Sequence, residues 1–99
     1  MPLSFVGADI AQLAVLRQLF ERKAAEVDQL IGEISAAVGG PGAQGSVRWE
    51  GQVAERFRQE WSGSFVPSLR KLIEALHENG AYIERNRQNI SQALNGTSV

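Results

Sequence analysis

The chain has no cysteine and only one histidine among its 99 residues. Without cysteine, these residues form no disulfide bond and no thiolate metal site. A single histidine with no serine-plus-acid context gives no basis for nucleophilic catalysis. We therefore expect a protein that is not an enzyme and that holds no metal or cofactor.

The sequence also lacks a strong charge of either sign and a long apolar run. Ten basic and eleven acidic residues give a net charge of −1, whereas a nucleic-acid-binding domain needs a clustered basic excess. No run approaches the ~18–20 apolar residues that span a bilayer. The first cation is Arg17, so the basic start of a secretory signal peptide is missing. We expect no nucleic-acid binding, no stable membrane insertion and no export by a signal peptide.

What is present is helical periodicity over most of a single domain, residues 1–99. Helix one is predicted at about 8–38, because Gly39 and Gly40 suit a helix C-terminus and Pro41 does not continue a helix. Its apolar stripe, taken at 100° per residue, consists of Leu13, Leu16, Phe20, Val27, Ile31, Ile34 and Val38, with Ala24 at the edge.

Helix two is predicted at about 52–94. Its apolar residues recur at spacings of three, four and seven, close to a coiled-coil seam. Ser62-Gly63-Ser64 has low helix propensity. Pro67 has no N–H for the Gly63 carbonyl, so we expect a bend near 63–67. The stripe consists of Ala54, Phe57, Trp61, Phe65, Leu69, Leu72, Leu76, Ile83, Ile90 and Leu94.

Trp49-Glu50-Gly51 stands between the two helices, at the end of a glycine-rich turn predicted at about 39–51. A local role for Trp49 is to cover the end of the helix pair, with Gly51 permitting a tight turn. An exposed aromatic beside a helix end is also a good docking feature. We take Trp49 and Gly51 as the turn and recognition motif.

Two long helices alone shield only part of each other's apolar stripes. Each is roughly 45 Å or more in length at 1.5 Å per residue, and thin folds without disulfides or metals are often supported by oligomerisation. We predict an all-α, antiparallel helix-turn-helix hairpin that dimerises into a four-helix bundle with a second copy or a different chain. The predicted dimer or hairpin core consists of Phe20, Val27, Ile31, Ile34, Phe57, Trp61, Phe65, Leu69, Leu72, Leu76 and Ile83.

A family resemblance rests on Trp49-Glu50-Gly51, on Phe57 and Trp61 in the next helical turns, and on the leucine ladder within residues 69–76. Together they resemble the WXG family, the small ESAT-like (early secreted antigenic target) proteins of type VII secretion. The resemblance implies a hairpin that pairs with itself or with a paralogous WXG-type chain in an antiparallel bundle. It also implies export of the folded dimer by an ATPase of the FtsK/SpoIIIE type.

The family also carries a C-terminal Tyr-x-x-x-Asp/Glu export signal. Here Tyr82 and Asn86 occupy a comparable place, but Asn86 lacks the carboxylate. Either the amide serves as an acceptor in a degenerate signal, or this chain carries no signal and travels with a partner that does. A third interpretation is that Tyr82 only flanks the stripe of helix two.

Glu74 and His77 have the Glu-x-x-His spacing of carboxylate-bridged metal bundles, in which the motif projects inward. On a helical wheel Glu74 lies nearly opposite the stripe and His77 well off it. We expect a solvated or boundary histidine here and no metal site.

The leading functional interpretation is a small secreted WXG-type protein, a substrate or co-substrate of a type VII secretion system that is exported as a folded dimer. The resemblance also implies a role in virulence or interbacterial competition. The alternative is a cytoplasmic helical adaptor or chaperone that pairs with a larger type VII substrate such as a toxin.

Overall fold

A computed structural model describes residues 9–96 of the chain. Of these residues 84% are helical, which agrees with the predicted all-α class. The first helix, α1, spans Ile10–Val38. Asp9 caps it, because its Oδ1 accepts the Ala11 N–H at 2.9 Å. The predicted start at residue 8 lies outside the described residues.

A short antiparallel β-ladder follows α1 directly. Strand β1 (Gly39–Gly40) pairs with β2 (Ala43–Gln44). The connection is Pro41-Gly42, and Gly42 has a φ of 76°. Proline followed by a residue of positive φ is typical of a type II turn. The sequence predicted a glycine-rich turn at this place but not its hydrogen-bonded strands.

The second helical stretch consists of three segments: α2 (Gln52–Glu60), a π-helical segment (Trp61–Phe65) and α3 (Val66–Gly96). The Val66 N–H bonds to the Trp61 carbonyl, five residues back. Pro67, which has no N–H, stands immediately after this bond. The π-helix overlaps the range 63–67 in which the sequence predicts a bend.

The π-helix changes which residues of the stripe face inward, because the wider turn shifts the register of everything that follows. Trp61 is buried, whereas Phe65 and Leu72 are 48% and 45% exposed. Ile73 is half-buried, although an uninterrupted helix would place it roughly 120° away from Trp61. The single stripe predicted at 100° per residue is therefore divided at this point.

The internal contacts define two units. The turn unit is Ala24–Glu74, and the terminal unit is Met1–Lys23 with Ala75–Val99. Residues 9–23 and 75–96 of the terminal unit are described. Among all the described residues, no helix has an apolar stretch long enough to cross a membrane.

The buried apolar side chains of the described residues all belong to the turn unit. They are Ala24, Ile31, Ala54 and Trp61. Trp61 also satisfies its polar atom, because its Nε1–H donates to Ser35 Oγ at 3.0 Å. Ala24, at the edge of the predicted stripe, is thus more central to this core than most of the larger residues of that stripe.

The two alanines of this core are predicted to tolerate no enlargement. Ala54 is 0% exposed, so Ala54→Leu should destabilise the protein by ~1–3 kcal/mol through overpacking. The adjacent Val53 is 67% exposed, so the matched control Val53→Leu should stay within about 0.5 kcal/mol of the parent. Urea unfolding followed by circular dichroism measures both. Equal stability of the two variants would show that this core is not closely packed.

Candidate functional site

The backbone at Gly51 explains why glycine occupies this position. Its φ is 111° and its ψ is 177°, and it precedes the first residue of α2. Side-chain-bearing residues scarcely enter this region. A Cβ added here would meet no atom within 4 Å, so the requirement comes from the backbone angles alone and not from crowding.

Trp49 lies just before this turn and is 39% exposed. Its ring packs against Phe57, with centroids 5.5 Å apart and planes at 50°, a favourable arrangement for aromatic pairs. Its backbone N–H donates to Gln44 Oε1 at 3.2 Å. Trp49 is therefore fixed on one side of its ring and at its backbone, while the rest of the indole remains open to solvent.

A small apolar pocket of about 100 Å³ adjoins Trp49 and is also lined by Ala37, Val38 and Val47. It forms because the loop lies against the end of α1: the Val47 N–H donates to the Ala37 carbonyl at 3.0 Å. Gly45 permits this approach, since a Cβ there would overlap the backbone of Ala37. The pocket and Trp49 together form an apolar surface beside the turn.

Arg58 is the buried charged residue of the part of the chain that the structure describes, at 4% exposure. Its Nε–H donates to the Val38 carbonyl at 2.8 Å, and its Nη2–H donates to the Trp49 carbonyl. Its Nη1 lies 3.7 Å from Glu55 Oε1. Hydrogen bonds of this kind are what a buried cation requires.

Glu55 makes a second connection between α2 and the loop. Its Oε2 accepts the Gly42 N–H at 2.9 Å, which fixes the type II turn. Sequence reasoning missed both Arg58 and Glu55 as loop contacts. The spacing in the sequence does indicate an inward position for Arg58. It follows Ala54 by four residues and precedes Trp61 by three, so it lies on the same face of the helix as both.

In the terminal unit, Tyr82 is 65% exposed. Together with Arg85, Asn86 and Asn89 it lines a shallow pocket of about 160 Å³. The Arg85 guanidinium carbon lies 6.0 Å from the centre of the Tyr82 ring, at the limit of a cation–π contact. Tyr82 and Asn86, the residues of the candidate export signal, therefore do share one surface, and that surface is polar with a cation beside it.

The carboxylate nearest to this surface in sequence, Glu84, is already paired. Arg87 donates to it from Nε at 2.9 Å and from Nη2 at 2.6 Å. These hydrogen bonds, with further help from Gln88 and the charge of Arg17 and against some desolvation, lower the pKa of Glu84 from 4.5 to about 2. The same carboxylate raises the pKa of Arg87. Glu84 is thus held in an ion pair with Arg87, three residues further along the helix.

His77 pairs with a carboxylate across the terminal unit. Its Nδ1 lies 2.9 Å from Glu21 Oε1, and its side chain is 53% exposed. No group of three or more His, Asp or Glu side chains within residues 9–96 is arranged to hold a metal ion. His77 is therefore an exposed residue that contacts a carboxylate of α1.

The predicted core residues fall into two groups. Ile31 and Trp61 are buried, and the half-buried members are Phe20, Val27, Ile34, Leu69, Leu76 and Ile83. Phe57, Phe65 and Leu72 are 38%, 48% and 45% exposed. The second group is exposed by more than a third, and within it Phe57 packs against Trp49.

Comparisons with protein-family models, with curated proteins and with solved structures find no match to this chain.

The conformation of Gly51 generates a prediction that has a second glycine as its control. Gly51→Ala should cost ~1–3 kcal/mol, because alanine at a φ of this kind is strained. Gly63 also has free space for a Cβ, but it lies in the helix, so Gly63→Ala should be neutral or gain up to ~1 kcal/mol. Chemical denaturation measures both. A Gly51→Ala protein as stable as the parent would contradict this backbone conformation.

The ion pair of Glu84 predicts a pH dependence. Its folded pKa of about 2 lies below the ordinary 4.5, so its contribution to stability is complete above pH 4.5 and is lost as the pH falls through 2. Glu84→Gln should lower the melting temperature at neutral pH, and its difference from the parent should shrink towards pH 2. The exposed Glu78 on the same helix supplies the control, Glu78→Gln. A difference that stays constant down to pH 2 would be the contrary result.

Proposed function

We propose that this chain is a WXG-type partner protein of a type VII secretion system, which pairs with a second helical chain and is exported with it in folded form. The observation that carries the proposal is the state of Trp49. It is partly exposed, stacked on Phe57 and hydrogen-bonded through its backbone, directly before the special conformation of Gly51. An aromatic side chain presented in this way is suited to recognition by another protein.

The pairs formed within each unit support a helical hairpin. In the turn unit Ser35 bonds to Trp61, and Asp28 lies 3.9 Å from Arg70. From one pair to the next, the residue number on α1 falls from 35 to 28 while that of its partner rises from 61 to 70. Antiparallel helices pair in this way. In the terminal unit Glu21 meets His77, and Arg17 acts on Glu84 through its charge, in the same sense.

The exposed apolar residues support association with a second chain. Leu16 and Leu19, both more than a third exposed, lie three residues apart on α1, and therefore on one face. Phe65 and Leu72 are one heptad apart and similarly exposed. Side chains repeated at this spacing are typical of a helix that packs against a further helix. The proposed assembly is an antiparallel four-helix bundle.

The surface around Tyr82 favours a co-substrate over a chain that carries its own signal. Asn86 has no charge, Glu84 is committed to Arg87, and the neighbouring charged side chain of the pocket is the cation Arg85. No unpaired carboxylate thus stands within residues 82–89. We propose that the partner chain supplies the acidic export signal, and that this chain contributes the turn with Trp49 to the surface that the FtsK/SpoIIIE-type ATPase recognises.

Export from the native host tests this function. Trp49→Ala should reduce the protein in the culture supernatant by about tenfold or more, which corresponds to a loss of ~1.4 kcal/mol in recognition, while the amount in the cells is maintained. Tyr82→Ala should leave export unchanged, because the signal is on the partner. Val53→Ala, which truncates a more exposed apolar side chain on α2, is the control.

The contrary outcomes separate the alternatives. Loss of export in Tyr82→Ala would mean that the chain carries its own signal. Absence of the parent protein from the supernatant would favour the cytoplasmic adaptor that pairs with a larger type VII substrate. Light scattering of the purified chain adds the oligomeric state: a mass that stays at 10.8 kDa, with full helicity, would contradict an obligate pairing role.

A further inference from the structure

The buried Arg58 side chain does more than fill space, because it hydrogen-bonds to both ends of the loop between α1 and α2. One acceptor is the carbonyl of Val38, the last residue of α1. The other is the carbonyl of Trp49. The last carbonyls of a helix have no partner within the helix and carry its negative dipole end. A cation at this point therefore satisfies α1 and holds Trp49 with the same group.

The geometry calls for arginine in particular. Nε and Nη2 of one planar guanidinium donate to two different carbonyls, and Nη1 faces the Glu55 carboxylate. The rigid fork of arginine makes several directed bonds at once, whereas the ammonium of lysine is a compact point charge on a flexible stem. Arg58→Lys would keep the charge but lose the simultaneous contacts.

Two of these contacts, and the aromatic ring beside them, hold Trp49. Arg58 holds its carbonyl and Gln44 holds its N–H, so both polar groups of its backbone are bound. Phe57, the residue before Arg58, supports one side of the indole ring. Two adjacent side chains of α2 thus hold Trp49: Arg58 fixes its backbone and Phe57 orients its ring.

We infer that Arg58 is the positioning residue of the Trp49 recognition surface: it fixes the backbone of Trp49 so that the indole is presented in one orientation to the partner that reads it. This inference rests on the proposed function. Arg58 lies outside the Trp-x-Gly motif, and its role is to pre-organise Trp49 for recognition. A side chain that is already ordered loses less conformational freedom on binding.

The mobility of Trp49 tests the inference directly. The chain has two tryptophans, so a Trp61→Phe background leaves Trp49 as the only indole. In that background Arg58→Met should lower the fluorescence anisotropy of Trp49 and raise its collisional quenching by about twofold, as nanosecond motion of the ring is released. Arg58→Lys should give an intermediate value. Arg56→Met, an exposed arginine of the same helix, is the control and should change neither quantity.

Circular dichroism accompanies each variant, so that mobility is compared only between folded proteins. Unchanged anisotropy and quenching in a folded Arg58→Met protein would overturn the inference. If Arg58→Met does not fold, Arg58→Lys decides the matter, because it keeps the charge near both carbonyls. A folded Arg58→Lys protein with Trp49 as immobile as in the parent would be equally fatal to the inference.

Export measurements separate this inference from the proposed function. The inference expects Arg58→Met to reduce export in parallel with its effect on Trp49 mobility, and Arg58→Lys to restore part of it. If Trp49→Ala abolishes export and a folded Arg58→Met protein is exported normally, Arg58 is not a positioning residue, while the function stands. If Trp49→Ala itself is exported normally, the proposed function fails, and with it the recognition role of this surface.

Discussion

The turn unit depends on the guanidinium of Arg58, which closes the loop by binding the carbonyls of Val38 and Trp49. Few apolar side chains of the described residues are buried, so the thirteen residues between α1 and α2 have little hydrophobic support. Directed hydrogen bonds replace that support: Arg58 and Glu55 on α2 bind the loop from one side, and the end of α1 binds Ser46 and Val47 from the other. A buried charge is tolerated only where it is paired in this way, and here the pairing defines the site.

The π-helical segment determines what faces outward. Its extra residue rotates α3 relative to α2, so that Trp61 enters the core while Phe65 and Leu72 remain exposed. Such insertions are frequent at functional positions. In this chain the consequence is an apolar surface that intrachain packing does not use, which is the physical basis for proposing a partner. The apolar stripe, only part of which is buried, and the exposed Trp49 thus both support the interpretation of an interaction protein.

Charge pairing gives the terminal unit a different character. Glu84 is paired with Arg87, and the Glu21 carboxylate contacts the His77 ring, which leaves the Tyr82 surface with amides and the cation of Arg85. The side chains of Arg87 and Glu84 are only 29% and 20% exposed, so this pair contributes to stability and also determines which charges remain available to a partner. That distribution is why we assign the acidic signal to the partner chain.

The sequence alone determined the helical class, because apolar residues at spacings of three, four and seven fit no other regular structure. It also indicated the position of the turn, through glycine and proline, and it drew attention to Trp49 and Gly51. Only the tertiary structure decided which apolar residues are buried, since one extra residue in the π-helix alters the helical wheel after Trp61. It likewise decided the role of Arg58. An arginine on an amphipathic helix is ordinarily exposed, and it becomes a buried connection only when two carbonyls that are distant in sequence come within reach of one guanidinium.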